Sequence, residues 1–442
     1  MIYRTSKNNK RIELLAPAGD LEKMEIALKF GADAVYFGIP DFSLRARINK
    51  FDKTAIKKGA KMCREMGRKF YVTLNIYAHN YHLEKLPKHL KFIKEINPSA
   101  IILSDPGVLR MVKKYLPKMP IHLSTQANAT NAQAVKFWQE QGVSRVILAR
   151  ELSLKEIAEI HKAVPKMELE CFVHGAMCMA YSGRCMLSKW MVGRSANLGD
   201  CVQPCRWKYK DQESRSEADQ PLAEKIKYHN ISLIEDQGRF EVELEEDGNG
   251  TYFFNSNDIC LIEHLDKLIK AGVSSFKIEG RSKSVYYSAV STKAYKKAVD
   301  CLFNEKYNKA EKEKIIWQEK KELEKLSHRG LWTGFLLGDE PPHLYEKAYQ
   351  KTDLEFVGIS KEDEKSKIRK VFAHNKFEKG EVVEIISPEN VFENKIVSIK
   401  NEKKEETAVA RGGQGLFFQV LFEKEIDGIF LMRKKINNLQ KL

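Results

Sequence analysis

Eight short runs rich in Val, Ile, Phe and Ala recur through the first two-thirds of this chain, and each is followed by a stretch with helical periodicity. The runs are Ile12–Pro17, Ala34–Ile39, Lys69–Ile76, Ala100–Ser104, Ile121–Gln126, Arg145–Arg150, Leu169–His174 and Ser274–Glu279. Between them, Asp20–Phe30, Lys53–Met66, Leu83–Ile96, Gly107–Leu116, Asn131–Gln141 and Ser153–Val164 carry apolar residues at a spacing near 3.6. Gly31, Gly67, Gly142 and Gly272 stand where those helices should stop. Eight alternating units of this size predict an α/β fold, a (β/α)8 TIM-like barrel, regular or distorted. A doubly wound open sheet is the rival architecture.

In such a barrel the C-terminal strand ends form the active face. Here those ends carry Ala16–Gly19, Tyr36–Gly38, Asn75, Asp105, Gln126–Asn128, Arg150-Glu151, His174-Gly175 and Lys277–Arg281. Polar side chains from different strands therefore converge on one mouth, fit for an oxygen-rich ligand or a nucleotide. A long insertion follows the seventh strand. It holds Cys178, Cys185, Cys201 and Cys205, a charged stretch at Asp211–Glu224 and a hairpin signal at Glu246–Gly250. Ser256–Cys260 then reads as a capped helix start, which would return Cys260 to the mouth.

The expected division is 1–288 for the barrel with its cysteine-rich insertion at about 177–258, 289–345 for a helical connector, and 346–442 for a C-terminal domain. That last part is strand-rich, at Leu354–Ile359, Ser366–Ala373, Glu381–Ser387, Val391–Lys400 and Gly415–Phe422, which predicts a small closed β-barrel expected to bind RNA. A net charge of +15 over 442 residues points the same way, to a polyanionic partner. No 18-residue apolar run and no apolar N-terminal core exist, so neither a membrane span nor a secretory signal is expected, and the cytoplasm is the expected compartment.

Eight cysteines in such a chain argue for metal or catalysis over a disulfide framework. Thiolates gathered in a long loop hold zinc or an iron–sulfur cluster. The spacing C-x6-C-x15-C-x3-C contains no C-x2-C zinc knot, so a [4Fe–4S] cluster suits it better. Cys178, Cys185, Cys201 and Cys260 are the favoured ligands, with Cys205 the alternative fourth. Cys63 and Cys301 on helices and Cys171 in a strand read as buried, unliganded thiols.

The run ECFVHGAMCMAYSGRCMLS at Glu170–Ser188 resembles the signature of the U32 peptidase family. ELLAPAGD at Glu13–Asp20, AVYFG at Ala34–Gly38, STQAN at Ser124–Asn128 and SFKIEGR at Ser275–Arg281 support it, and DCVQPCRW points to the branch of tRNA hydroxylation proteins. The resemblance extends to the C-terminal β-barrel. It implies an iron–sulfur enzyme that forms 5-hydroxyuridine at the wobble position of tRNA, with prephenate and without molecular oxygen as the source. Its partners would be tRNA and a small dicarboxylate, with no membrane; a helper subunit or a homo-oligomer is compatible. Arg150, Arg281 and Arg45 become candidates for the dicarboxylate, because forked guanidinium contacts suit carboxylates. Asn75, Gln126 and Asn128 are further substrate-binding candidates, and His174, Tyr181 and Glu279 are candidates for proton transfer. The older family name suggests a collagenase-like peptidase, for which His174 near Cys178 would be the dyad. Four further cysteines around one nucleophile serve no purpose in peptide hydrolysis.

Overall fold

The computed structural model describes residues 12–44, 51–178, 180–206, 231–234, 241–244, 246–247, 250–251, 256–338, 352–413 and 415–436. They fall into two units: 12–21, 34–282 and 327–338 form one, and 22–33, 283–326 and 352–436 form the other.

The first unit is a closed parallel barrel. Its strands are β1 (Glu13–Pro17), β2 (Ala34–Gly38), β3 (Lys69–Leu74), β4 (Ala100–Leu103), β5 (Ile121–Leu123), β6 (Arg145–Ile147), β7 (Glu168–Ala176) and a closing strand, Val273–Ile278. Each pairs with its successor, and Val273–Ile278 pairs with both β7 and β1, completing the ring. These strands are covered on both faces, which explains their near-continuous apolar sequences, AIIL in β4 for instance. Local signals set the helices. Asp52, Asp105, Asn131 and Ser153 each accept a hydrogen bond from a first-turn backbone N–H, of Ala55, Val108, Ala134 and Glu156 respectively. Asp105 at the end of β4 is thus committed to a cap.

Side chains pointing into the barrel divide into two levels. Leu15, Tyr36, Tyr71, Ile102, Ile147 and Phe172 pack across the middle. Below them lies a buried charged network. Arg145 Nη1 contacts Glu13 (2.5 Å) and Glu170 (3.0 Å), Tyr71 donates to Glu13 (2.7 Å), and Lys277 Nζ donates to the other oxygen of Glu170 (2.8 Å). Burial alone would raise the Glu13 carboxyl, but the Arg145 and Lys69 charges and the hydrogen bonds hold it at about 2.

One expectation fails in the insertion. Asp258–Cys260 forms a short strand antiparallel to β7, placing Cys260 opposite His174, where a helix start was expected. The Asp258 carboxylate receives the Arg329 guanidinium at 2.6 and 2.8 Å and the Arg329 backbone N–H at 3.4 Å instead of capping a helix, and Ser256 Oγ donates to Met177 O. A buried long-range ion pair outcompetes a local cap here. The hairpin signal is met by a ladder between Glu246–Asp247 and Gly250–Thr251, while Asp211–Glu224 lies outside the described residues.

The second unit is a closed antiparallel barrel of six strands, ordered Val382–Ile386, Phe430–Lys435, Leu354–Ser360, Ser366–Ala373, Phe417–Ile426, Val391–Lys400 and back to the first. Closure leaves the barrel without a free edge. Val357, Val371, Ile385, Ile396, Phe422 and Phe430 fill its core. The sixth strand, Phe430–Lys435, escapes a reading by alternation because its second half, Arg433-Lys434-Lys435, looks like a solvated tail. Arg433 is in fact buried, donating to Glu322 (2.6 Å), Glu384 (2.7 Å) and the Tyr286 hydroxyl (3.0 Å). The helices Val285–Phe303 and Lys309–Glu324 group with this unit, whereas 327–338 groups with the first, so the expected connector 289–345 is divided. Among the described residues no helix is long and apolar enough to cross a membrane.

Candidate active site

Strand ends and the cysteine loop of the first unit enclose a cavity of about 320 Å³. Its floor continues the aromatic level of the barrel: Tyr36 from β2, Ile102 from β4, Ile147 from β6 and Phe172 from β7. Lys277 rises between two of these rings, its Nζ 4.4 Å from the Tyr36 centroid and 5.3 Å from that of Phe172. Only 3% exposed, it hangs on Glu170. Burial lowers its pKa more than Glu170 raises it. Burial likewise pushes the Tyr36 hydroxyl well above its ordinary range, and that hydroxyl donates to Ile278 O.

Two arginines flank the lysine. Arg281 is fixed by Nη1 to Ser43 Oγ (2.6 Å) and Thr73 Oγ1 (3.2 Å), and by Nη2 to Leu44 O (2.6 Å). This approach needs Gly38, where a Cβ would lie 2.0 Å from Ser43 Oγ. Arg150 stacks 4.1 Å over Phe172, donates to Ala176 O, and pairs with Glu279 at 3.3 Å. Three cations therefore face two carboxylates, one of them shared with Arg145 below. The cavity walls favour an anionic guest.

The opposite wall is neutral. Asn75 accepts from Leu44 N and donates to Ser124 Oγ. After β5 the chain turns through Thr125–Ala127 and leaves Asn128 at a φ of 52°. This turn aims Gln126 into the cavity; its Oε1 is buried without a hydrogen-bond partner.

The cysteine loop covers this wall, and the barrel pins it. Ser182 N and Oγ both donate to Glu151, Arg184 Nε donates to Gln126 O, and Tyr77 N donates to Asn197 O. Gly183 (φ 78°) is required, since a Cβ there would stand 3.0 Å from Gln126 Nε2 and 3.7 Å from Cys178 Sγ. Pinned this way, the loop places Cys178, Cys185, Cys201 and Cys205 on the cavity lining. Cys260 is buried in its strand and does not line the cavity, because the strand replaced the expected helix start.

These four thiols form an all-sulfur donor set on one wall. A lone tetrahedral zinc would draw its sulfurs to about 3.8 Å of one another, and among the described residues no three His, Cys, Asp or Glu side chains gather to hold a metal ion. A [4Fe–4S] cluster spreads its four thiolates over separate irons and asks for a wider ring. Four thiols lining one cavity are the donor chemistry such a cluster takes. By contrast, burial raises the thiols of Cys63, to about 12, and of Cys171 and Cys301, in keeping with inert core residues.

Of the candidate residues read from the sequence, Asn75, Gln126, Arg150, Glu279, Arg281, Cys178, Cys185, Cys201 and Cys205 share the cavity. His174 is buried but off the lining, Tyr181 is half exposed outside it, and Asn128 shapes the turn without reaching in. Arg45 lies outside the described residues. Lys277 and Tyr36, which line the floor, are not among the individual candidates although each sits inside a family motif, SFKIEGR and AVYFG. A lysine within an apolar strand was the available signal, since a buried ammonium requires a partner.

The family model of Peptidase family U32 matches residues 19–345, and that of the Peptidase family U32 C-terminal domain matches 352–433. The chain is 40% identical to "tRNA hydroxylation protein P" of Escherichia coli, over 95% of this chain and 96% of the relative. It is 34% identical to the "23S rRNA 5-hydroxycytidine C2501 synthase" of the same organism, over 68% of this chain and 41% of that one. A protein of Porphyromonas gingivalis named "Collagenase" is 33% identical over 75% of both chains. With both family models matched in order along its length, this chain belongs to peptidase family U32.

Proposed function

We propose that this protein is an iron–sulfur-dependent RNA-modifying enzyme of the cytoplasm that hydroxylates the wobble uridine of tRNA to 5-hydroxyuridine, with prephenate as co-substrate. The observation that carries the reading is one cavity lined by four thiols, three cations and an unpartnered amide. Relatives named for tRNA and rRNA hydroxylation support the substrate class, and the net charge of +15 suits a polyanion.

Cys178, Cys185 and Cys201, with Cys205 or Cys260 as the fourth, would hold a [4Fe–4S] cluster, which supplies one-electron chemistry when bound. Arg281, Arg150 and Lys277 would receive the carboxylates of the co-substrate, the first two as planar forks already oriented by their own hydrogen bonds. The Gln126 amide would read a polar edge of the uracil, and Asn75 and Ser124 would border it. An anticodon base is already unpaired, so bringing it into the cavity costs less than extrusion from a duplex. Glu279, paired with Arg150, would be the carboxylate that moves a proton there. The small C-terminal barrel would grip the RNA.

A collagenase-like peptidase is the second reading, favoured by the name of the Porphyromonas gingivalis relative. It needs a thiolate beside a histidine base, yet Cys178 lines the cavity while His174 does not.

Anaerobic purification tests the proposal. Iron and sulfide should be present with broad absorbance near 400 nm, roughly as thiolate-bound iron behaves. Iron content in Cys205→Ala against Cys260→Ala identifies the fourth ligand. Nucleoside mass spectrometry of tRNA from a deletion strain should show 5-hydroxyuridine derivatives lost; their persistence, or gelatin cleavage that Cys178→Ala alone abolishes, overturns the reading.

A further inference from the structure

The outer face of the cysteine loop gathers exposed apolar side chains. Trp190 is 82% exposed, and Met186, Tyr181 and Val192 beside it in sequence are exposed by 64, 50 and 41%. Large apolar side chains concentrated on one short segment mark an interaction site. The segment from Arg184 to Arg194 also carries three basic residues, Arg184, Lys189 and Arg194, and no acidic one.

Its position relative to the cavity is fixed by its own residues. Cys185 and Leu187 turn inward and line the cavity, while Met186 and Trp190 face out. Leu187 and Trp190 share one turn of the short helix Leu187–Val192, so their Cβ atoms lie about 5–6 Å apart. The indole therefore projects from the same helical turn that gives Leu187 to the cavity lining. The segment is also rigidly presented: Ser188 Oγ accepts from Val202 N, Arg194 pairs with Asp200 at 2.8 Å, and Arg184 reaches back to Gln126 O.

We propose that this ridge is a stacking platform for single-stranded RNA, on which Trp190 receives the base next to the one that enters the cavity, with Met186 and Tyr181 flanking it. The inference rests on the RNA-modifying reading above and adds where the substrate's neighbouring nucleotide lies. Asp200 neutralises Arg194, and Arg184 and Lys189 leave the segment net positive, which suits a phosphate backbone; the exposed indole offers a π-face to any base. Arg194, held by Asp200, orients the turn, whereas Lys189 is the side chain available to a phosphate.

The test is a titration of the full-length protein against a fluorescein-labelled anticodon stem–loop RNA with uridine at the wobble position, at several salt concentrations. Trp190→Ala should weaken binding about 5- to 150-fold, the loss expected for one stacked base, and Trp190→Tyr should retain most of the affinity. The salt slope should not change in Trp190→Ala but should fall by about one in Lys189→Ala, which removes a single phosphate contact. Binding of Trp190→Ala within twofold of the unaltered protein overturns the platform, even where the unaltered protein hydroxylates the RNA. The reverse result, the expected loss of affinity with no hydroxylated nucleoside formed, supports the platform and removes the hydroxylation reading alone. An unaltered protein that does not bind this RNA overturns both.

Discussion

Arg145 neutralises two buried carboxylates at the bottom of the barrel, so replacing it by methionine should expose how much the fold depends on that network. The guanidinium contacts Glu13 at 2.5 Å, Glu170 at 3.0 Å and Glu168 at 2.8 Å, and both it and the first two partners are buried. A Glu13 carboxyl held at about 2 against an ordinary 4.5 is stabilised by about 3 kcal/mol, at 1.36 kcal/mol per tenfold change in proton affinity. Removing one partner of such a group leaves an uncompensated charge, which costs about 3–5 kcal/mol. Because the folded-state pKa lies below the unfolded one, the native stabilisation is complete above about pH 4.5 and is lost as the pH falls towards 2. In Arg145→Met the sign reverses: burial is no longer opposed by Arg145, Glu13 moves up, and the ionised carboxyl becomes a liability. The variant's deficit should be about 3–5 kcal/mol at pH 7 and should shrink towards pH 4 as that carboxyl takes up a proton. Urea unfolding at both pH values, with amide exchange in β1 and β7 reporting on the barrel, measures it. A deficit below about 1 kcal/mol, or one equal at both pH values, would show that the network is not what holds Glu13 ionised.

Three further outcomes are expected. Under native conditions without bound metal, iodoacetamide should label Cys178, Cys185, Cys201 and Cys205 but spare Cys63 and Cys171, because a thiol at about 12 is thiolate in only about one molecule in ten thousand at pH 8; peptide mass spectrometry showing Cys171 modified as fast as Cys185 contradicts this. Arg433→Met should destabilise the C-terminal barrel by about 3 kcal/mol by stranding Glu322 and Glu384, read as a lowered urea midpoint with amide exchange confined to the second unit. Arg281→Lys keeps the charge but cannot hold Ser43, Thr73 and the Leu44 carbonyl together, so KM for the proposed carboxylated co-substrate should rise by about tenfold or more while kcat changes less.

What the sequence made legible here follows from the range of the interaction involved. Strands β1 to β7 announce themselves because a strand covered on both faces is apolar at most of its positions, and the helices because caps such as Asp52 and Ser153 act within one turn. Local signals misled where a distant partner outbid them. Ser256-Asn257-Asp258 offers the same side chains to a helix cap and to a strand entry, and Arg329, 71 positions away, decides between them. That choice moved Cys260 off the cavity and left Cys205 on it. Glu13, Arg145, Glu170 and Lys277 come from four different strands, and a polar residue inside an apolar run does not reveal which way it points. Once the barrel closes, inward-facing positions have only one another as partners, so each charge demands its complement across the ring. Lys277 belongs to both levels: Glu170, itself held by Arg145, anchors it from below, and the cavity receives it from above. The charged floor of the barrel and the chemistry at its mouth are therefore one electrostatic unit, and a change to the network that leaves the fold intact should still be felt at the site through the position and charge of Lys277.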